Sequence, residues 1–286
     1  MKRKFTKWHK KGLGAVFAFV VTLCTGLLAS GQTAYASTIY TDTESNNSHE
    51  EAQIISKNAR TASQAVSGST SVYRYVTGTL SYDDEDWYKV YLYSDDENYL
   101  DLNVSSGTIF VDLYNSSNFE VPMDSFQFQK YGDTGVYEVS VPSDGLYYLR
   151  VYHTITSISA TYNFTIGNPK YTLGSYKHTF KSTTLAAKGT WQDKVDLTLI
   201  TSIPDGAIGY KISIGGCTSS VSSKRYFYNE FYDQWVATKS TYSYSLPVTN
   251  SSLLDQVWGA KIVSTSSSSK TFSPTMTIRY VAPDLP

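Results

Sequence analysis

Apolar residues recur at every second position through most of this chain, and that period constrains the fold more than any other feature. Six runs of the amino-terminal half alternate in this way: Tyr88, Val90 and Leu92; Leu100, Leu102 and Val104; Val111 and Leu113; Tyr137, Val139 and Val141; Tyr147, Leu149 and Val151; and Tyr162, Phe164 and Ile166. Because successive side chains of a strand point to opposite faces of its sheet, each run predicts a strand with one apolar face. Such strands, joined by short polar connections, predict a sandwich or barrel whose core is complete near residue 167.

A turn cluster, Gly167, Asn168 and Pro169, interrupts the pattern before a second set of strands begins. The second set comprises Val195, Leu197 and Leu199; Ile208, Tyr210, Ile212 and Ile214; Trp258, Ala260 and Ile262; and Met276, Ile278 and Tyr280. The composition, with 25 Tyr, 12 Phe and 5 Trp, also favours strands. We predict an all-β protein with two β-sandwich domains in tandem, over residues 37–167 and 170–286; a single larger sandwich is the alternative.

Two shorter stretches carry local predictions. The segment HEEAQIISKNA, at 49–59, places Ala52, Ile55 and Ala59 where they could share one face of a short helix. The stretch STSSSSK, at 264–270, lies between two apolar runs and predicts a hairpin loop.

The amino terminus has the three parts of a secretory signal. A basic stretch, MKRKFTKWHKK, precedes the apolar run AVFAFVVTLCTGLLA, and Ala34, Tyr35 and Ala36 form a small-x-small cleavage pattern. The apolar run is short for a transmembrane helix, and no later segment is apolar enough to cross a bilayer. We therefore expect residues 1–36 to be removed and the secreted chain to begin at Ser37.

Removal of this segment makes the chain acidic. It takes away six of the 24 basic residues and none of the 25 acidic residues, so the net charge becomes about −7. A chain of that sign is a poor partner for nucleic acid or an anionic membrane and a reasonable one for cations. Cys24 leaves with the signal, and the remaining Cys217 is predicted to be a small core residue rather than a nucleophile.

Two acidic segments provide oxygen atoms that a cation could use. YDDEDW, at 82–87, places four acidic side chains directly before a strand, and TDTESNN, at 41–47, places Asp and Glu ahead of two Asn. Calcium prefers about six to eight oxygen ligands, drawn from carboxylates, amides and backbone carbonyls on irregular backbone. Spacing alone leaves two interpretations open: a cation site, or a solvated acidic turn beside a flexible terminus.

Four segments resemble the bacterial pre-peptidase carboxy-terminal domain family, which includes the collagen-binding domains of clostridial collagenases: ESNNSHEEA, VTGTLSYDDEDWYKVYL, GLYYLRVY and YNFTI. The resemblance covers about residues 40–167. Its most specific parts are the E-x-N-N segment and the D-x-x-D-W-Y signature after a G-T-L turn. It implies a β-sandwich that accompanies extracellular hydrolases and holds calcium between the amino-terminal acidic segment and the acidic turn.

The resemblance implies a calcium site with the following ligands: Asp42, Glu44, Asn46, Asn47, Asp83 and Asp86. Asp84 and Glu85 are expected to stay in solvent. Asp42 stands where many relatives have Glu, which shortens the reach, and Asn47 stands where Asp is common, which removes a charge. We therefore expect weak binding, with a dissociation constant of roughly 10⁻⁴ to 10⁻³ M.

The sequence shows no recognised catalytic motif. His49, Glu50 and Glu51 begin like the zinc-binding H-E-x-x-H, but Gln53 stands where the second His is needed. No G-x-S-x-G elbow and no phosphate-binding Gly-rich loop occurs. We predict that the protein is not an enzyme; the alternative is a hydrolase with an unrecognised site in the second domain that uses His178.

The stretch RYFYNEFYDQW, from Arg225 to Trp235, gathers six aromatic residues. Aromatic rings on a rigid β surface bind sugar rings or extended peptides, because they offer large contact area at little cost in entropy. A hairpin also needs aromatic residues for cross-strand pairs and core packing, which is the alternative interpretation. The candidate ligand-binding residues are Tyr226, Tyr228, Tyr232 and Trp235.

Together these features predict a secreted, calcium-binding module that attaches to an extracellular protein or polysaccharide and has no catalytic centre. The alternatives are an extracellular hydrolase with a site in the second domain and a structural surface or matrix protein. Neither the fold nor the motifs identify the partner, because one fold can host many unrelated binding sites.

Overall fold

Strands make up nearly all of the regular structure. The computed structural model describes residues 37–130, 135–154, 159–217, 223–239 and 242–286. The amino-terminal strands are β1 (Thr38–Thr41), β2 (Gln53–Ile54), β3 (Arg74–Leu80), β4 (Glu85–Leu92), β5 (Asn98–Val104), β6 (Thr108–Asn115), β7 (Asp124–Gln129), β8 (Val136–Val139), β9 (Gly145–Tyr152) and β10 (Ala160–Gly167). The carboxy-terminal strands are β11 (Tyr171–Thr179), β12 (Thr183–Leu185), β13 (Thr190–Asp196), β14 (Ile208–Gly215), β15 (Ser223–Asn229), β16 (Gln234–Ala237), β17 (Ser243–Ser245), β18 (Val257–Ser264), β19 (Lys270–Phe272) and β20 (Thr275–Pro283). The described helices are α1 (Ala62–Ser67) and a 3-10 turn (Asn250–Ser252).

Residues 38–167 form two five-stranded sheets that face each other, called the first sandwich below. One sheet has the order β1-β3-β10-β5-β8, and the other has the order β2-β4-β9-β6-β7. The inward side chains of both sheets meet in one core, which includes Leu80, Tyr88, Val90, Leu92, Leu100, Ile109 and Leu149, each without exposed surface. Each of the six alternating runs contributes a strand, because its apolar face packs against the opposite sheet.

Residues 171–283 form a second sandwich with its own core. Its four-stranded sheets have the orders β11-β20-β14-β17 and β13-β18-β15-β16, and β12 pairs with β19 beside them. The fully buried side chains include Ile212, Trp258, Ile262, Met276 and Ile278. The predicted all-β fold class is therefore confirmed.

Among the described strands, none of one sandwich pairs with a strand of the other. The two sandwiches nevertheless touch: α1 contacts β11 and β20, and Lys170 Nζ lies 2.8 Å from Asp101 Oδ2. From residue 37 onward the chain clusters as one compact unit. The division into two independent domains thus stays a prediction.

The predicted helix over 49–59 is wrong. Gln53 and Ile54 form β2, which pairs in parallel with β4. The helix α1 begins later, at Ala62, where Thr61 and Gln64 form a capping box. The capping box is therefore a stronger sequence signal for a helix than the helical spacing of Ala52, Ile55 and Ala59.

Two further predictions in the second sandwich are also wrong: that the strand of Val195 and Leu197 continues to Leu199, and that the stretch 264–270 is a hairpin loop. β13 ends at Asp196, whose Oδ1 accepts hydrogen bonds from the backbone N–H and hydroxyl of Thr198, and Leu199 is 78% exposed. This side chain-to-backbone turn stops the strand before the apolar alternation ends. The stretch 264–270 is not a hairpin loop, because β18 already has β13 and β15 on its two edges and β19 pairs with β12.

The predicted signal peptide, residues 1–36, lies outside the residues that the structure describes. The first described residue is Ser37, directly before β1. In the described ranges no helix is both long enough and apolar enough to cross a membrane.

Candidate metal centre

The two acidic segments meet at one end of the first sandwich. β1 pairs in parallel with β3, and Asp42, which follows β1, donates its backbone N–H to Thr77 O at 2.8 Å. Asn46 O accepts the backbone N–H of Trp87, also at 2.8 Å. These hydrogen bonds hold the amino-terminal segment across the start of β4.

Three carboxylates come together at this point. Asp86, the second residue of β4, points inward as Tyr88 does, so its side chain enters the end of the core. One carboxylate oxygen from each of Asp42, Glu44 and Asp86 lies within 4.8 Å of the others. Glu44 is exposed, Asp42 is half-buried and Asp86 is fully buried. The carboxylate cluster, as we call these three residues, therefore runs from the surface into the core.

Burial and like charge both raise the pKa values of two of these carboxylates, Asp86 and Glu44. Burial raises the pKa of Asp86 to about 8; the Tyr162 hydroxyl opposes the rise, and Asp42, Asp84 and Glu44 add to it. The pKa of Glu44 is also raised, first by burial and then by Asp84 and Asp42. No described basic side chain forms an ion pair with any member of the carboxylate cluster. Any negative charge on the cluster is therefore not neutralised by a described side chain.

A chain of short hydrogen bonds links two members of the cluster through the core. Tyr162 Oη lies 2.6 Å from Asp86 Oδ2 and 2.5 Å from Tyr88 Oη, and Tyr88 donates to Asp42 Oδ1 at 2.8 Å. These three contacts need three hydrogens, and two phenols supply only two. A proton on Asp86 would complete the chain, in agreement with its raised pKa.

Two buried oxygens at the cluster, Asp86 Oδ1 and Asn46 Oδ1, have no hydrogen-bond donor among the described residues. Asn46 is fully buried, and its Nδ2 donates to Asp42 Oδ1 at 2.8 Å. A buried oxygen without a partner typically costs about 1–3 kcal/mol, so these atoms mark a place for a group from outside the chain. A donor set of oxygens without Cys or His fits a hard cation such as calcium.

Of the six predicted ligands, the structure brings four together: Asp42, Glu44, Asn46 and Asp86. Asn47 is exposed, and its amide, oriented by its partners, donates to Glu85 O at 3.0 Å. Asp83 is exposed in the turn, with a left-handed φ of 51°, and is not among the clustered carboxylates. Asn47 and Asp83 therefore contribute to the acidic turn rather than to the carboxylate cluster.

The expectation that Asp84 and Glu85 stay in solvent is wrong. Glu85 is half-buried, and its Oε2 accepts hydrogen bonds from Arg150 Nε at 2.6 Å and Nη2 at 2.5 Å. Asp84 is also half-buried and accepts the backbone N–H of Ser81 at 2.9 Å. Because successive residues of β4 face opposite sides, Glu85 meets a basic partner on the outer face while Asp86 enters the core.

Sequence reasoning assigned Tyr88 and Tyr162 to the core and missed their contacts with the cluster. One signal was available, in the glycine of the stretch VTGTL. Gly78 pairs in register with Tyr162, and a Cβ at Gly78 would lie 2.3 Å from the Tyr162 hydroxyl oxygen. A glycine inside a strand pattern indicates such a close approach.

The aromatic stretch forms the predicted hairpin, made of β15 and β16. Tyr226, Tyr228 and Trp235 share the outer face of the sheet, and the rings of Tyr228 and Trp235 lie 5.5 Å apart. Tyr228 is 6% exposed, and Lys194 Nζ lies 3.2 Å from its ring centroid. Tyr232 lies apart, in the connecting turn. Part of this candidate surface is therefore already covered by the protein itself.

The histidine and cysteine of the second sandwich lie in largely apolar surroundings. The His178 ring packs edge-on against Phe180, with centroids 4.5 Å apart, and burial lowers the pKa of His178. Cys217 is half-buried against the second core, as predicted, and burial raises the pKa of its thiol. A raised thiol pKa disfavours the nucleophilic thiolate.

Comparison with solved structures identifies a similar fold in a "putative secreted protein" from Eubacterium rectale. The TM-score is 0.51, with 13% sequence identity over 86% of this chain and 82% of that chain. A periplasmic inhibitor of g-type lysozyme, PliG from Salmonella Typhimurium, matches with a TM-score of 0.25 and 14% identity over 40% of this chain and 97% of its own. The first match shows the fold alone, and the second is too distant for any conclusion.

No protein-family model matches the chain, and no curated protein matches its sequence. The resemblance to the pre-peptidase carboxy-terminal family therefore stays a prediction. Whatever the family, the carboxylate cluster is defined by contacts within this chain.

Proposed function

We propose that this chain is a secreted, calcium-binding module without a catalytic centre, which attaches to an extracellular protein or polysaccharide. The observation that carries the proposal is the carboxylate cluster of Asp42, Glu44 and Asp86, which has no basic partner among the described residues. The unpartnered oxygens Asp86 Oδ1 and Asn46 Oδ1 support it independently.

The donor set favours calcium over other common cations. Zinc prefers Cys and His, and magnesium demands a near-ideal octahedron and keeps several of its waters. Calcium accepts irregular sets of carboxylate and amide oxygens and takes about six to eight of them. The four residues Asp42, Glu44, Asn46 and Asp86 would supply about half of that number, and backbone carbonyls or water would supply the rest.

An ion held by these residues would tie two parts of the first sandwich together. Asp42 and Glu44 belong to the segment after β1, and Asp86 belongs to β4. An ion that binds the folded chain and not the unfolded one stabilises the fold by mass action. The proposed role of calcium is therefore to hold the amino-terminal segment in place.

Secretion and the absence of catalysis are supported chiefly by the sequence. The amino terminus has a basic stretch, an apolar run and a cleavage pattern, and the chain after it contains one Cys. The sequence contains no recognised catalytic motif, which agrees with a binding role.

Isothermal titration calorimetry with calcium chloride tests this proposal. The chain from residue 37 onward is expected to bind about one ion with a dissociation constant of roughly 10⁻⁴ M. Asp86→Asn keeps the size of the side chain but removes its charge, so we expect affinity to fall at least about tenfold. Asp205→Asn is the matched control, because Asp205 is exposed in the second sandwich. A parent chain that binds no calcium, or an Asp86→Asn variant that binds equally well, would overturn the proposal.

A further inference from the structure

A polar cleft of about 660 Å³ lies on the outer face of the β1-β3-β10-β5-β8 sheet of the first sandwich. Its floor consists of side chains from three neighbouring strands: Thr77 and Thr79 of β3, Thr161 and Asn163 of β10, and Asn103 of β5. Its volume is within the range of roughly 300–1,000 Å³ that is typical of small-molecule sites. The carboxylate cluster lies at one edge, where Asp42 and Glu44 line the cleft.

The floor of the polar cleft is a row of unused hydrogen-bonding groups. Thr77, Asn163 and Asn103 stand side by side in register on adjacent strands, about 4.8 Å apart from strand to strand. Asn163, Asn103, Thr161 and Thr79 are exposed. In the part of the chain that the structure describes, no hydrogen bond involves the side chain of any of these five residues. Each amide can donate and accept, as each hydroxyl can, so the row matches a ligand that also carries many donors and acceptors.

A second cavity, of about 450 Å³, continues the polar cleft along the strands and shares Asn163 with it. Tyr73 and Tyr75 line this part, both half-exposed, with ring centroids 5.7 Å apart. Tyr75 lies on the same face of β3 as Thr77, two residues away. This part is also lined by Arg60, which lies over the Tyr73 ring, and by Lys170, which is paired with Asp101. The extended surface therefore offers aromatic rings beside amides and hydroxyls, and both of its cations already have partners within the chain.

We propose that the polar cleft binds a neutral oligosaccharide. A sugar ring presents an apolar C–H face, which packs on a tyrosine ring, and a rim of hydroxyls, which match the amide and threonine side chains. No basic residue lines the larger cavity, and Asp42 and Glu44 at its edge disfavour a polyanion. A protein partner usually inserts aromatic or arginine anchors into apolar pockets, whereas the floor of the larger cavity consists of Thr and Asn side chains.

This proposal names the target of the binding module proposed above and rests on that binding role, but it does not depend on the cation. The residues of the cleft floor are separate from the four proposed calcium ligands. Substitutions in the cleft floor can therefore remove sugar binding and leave calcium binding intact.

The test uses the chain from residue 37 onward, produced in a bacterium so that the N-x-S/T sites at Asn103 and Asn163 stay unmodified. Calorimetric titrations with cello-, xylo-, manno-, malto-, laminari- and chitohexaose are compared with polygalacturonate and gelatin, each in calcium and in chelator. The variants are Asn103→Ala with Asn163→Ala, and Tyr75→Ala. The matched control is Gln127→Ala, which changes an exposed amide on β7 of the opposite sheet.

We expect at least one neutral hexasaccharide to bind, with affinity falling at least about tenfold in the double Asn variant and in Tyr75→Ala and unchanged in the control. All variants should keep the calcium affinity of the parent. A parent that binds calcium but no neutral hexasaccharide overturns this inference and leaves the calcium site standing. Equal sugar binding by the parent and both variants, or capture of gelatin or polygalacturonate through the same residues, also overturns it.

Discussion

The two sandwiches place buried charge in opposite surroundings. At the end of the first, Asp86 is fully buried beside two other carboxylates, and one of its oxygens has no partner among the described residues. In the second, Arg225 is 8% exposed, but its Nη1 donates to Ile214 O at 2.7 Å. The Arg225 guanidinium also lies 3.5 Å from the ring centroid of Tyr242.

This difference shows what each region requires from its surroundings. Arg225 donates to a carbonyl and lies over an aromatic face, and both contacts attract a cation, so the second sandwich satisfies this charge internally. Asp86 meets like charges and a phenol, so the first sandwich needs a proton or a cation from solvent. A buried charge without a partner is therefore a better functional marker than an acidic stretch in the sequence.

The largest expected effect concerns Arg225. Arg225→Leu removes the donor to Ile214 O and the contact with Tyr242, so we expect the free energy of unfolding to fall by about 3 kcal/mol. The gain in stability from calcium should stay the same as in the parent, because Arg225 lies in the second sandwich. Chemical denaturation with and without calcium measures both quantities. A loss of the calcium effect in this variant would break the contrast between the sandwiches.

A matched pair of tyrosines sharpens the comparison. Tyr162 and Tyr280 each lie over a glycine of the neighbouring strand, but only Tyr162 Oη contacts a buried carboxylate. Tyr162→Phe leaves the buried Asp86 Oδ2 without its hydrogen-bond partner, so we expect a loss of about 2 kcal/mol. Tyr280→Phe should cost less than about 0.5 kcal/mol. Equal losses in the two variants would show that Tyr162 acts by packing alone.

The raised pKa of Asp86 predicts a dependence of the calcium affinity on pH. The folded chain holds a proton on Asp86 at pH values where the unfolded chain has released it, so without calcium stability falls as pH rises from about 4 to about 8. Calcium must displace this proton, so its affinity should rise by up to about tenfold per pH unit between about pH 5 and pH 7. Titrations in buffers of different ionisation enthalpy measure the released proton directly. An affinity that is constant over this range would contradict the assignment of Asp86 as a ligand.

The smallest expected effect separates two acidic residues, one from each of the two acidic segments. Asp83→Asn should change the calcium affinity by less than about threefold, since Asp83 is exposed and acts only through its distant charge. Asp42→Asn removes one of the clustered carboxylates and should weaken binding at least about tenfold. Calorimetric titration of both variants tests whether the ligands are the four residues that the structure brings together or the full set of six that the resemblance implies. A larger effect at Asp83 would favour that set.

The strands could be predicted where apolar alternation reflects burial on one face. The run of Trp258, Ala260 and Ile262 is an example, because all three side chains pack into the second core. Leu199 continued such a pattern but is exposed, because the turn at Asp196 acts locally and overrides the period. The path of 264–270 could not be predicted, since it depends on which strands occupy the edges of β18.

The site could be predicted only in part. The acidic segments, together with the family resemblance, indicated Asp42, Glu44 and Asp86, because both segments border strands that meet in a sandwich. The sequence could not separate Asp83 from Asp86, since the side that each residue faces depends on where β4 begins. The polar cleft could not be predicted from the sequence either, because its floor forms only when β3, β10 and β5 align side by side.

The most direct test of the central claim is thermal unfolding of the chain from residue 37 onward, in chelator and in increasing calcium, beside the Asp86→Asn variant. If the carboxylate cluster binds calcium, the parent should gain about 2.7 kcal/mol when the ion is about a hundredfold above its dissociation constant, and the variant should gain much less. The account would be contradicted if the unfolding temperature of the parent did not change with calcium, or if calcium stabilised the variant as much as the parent.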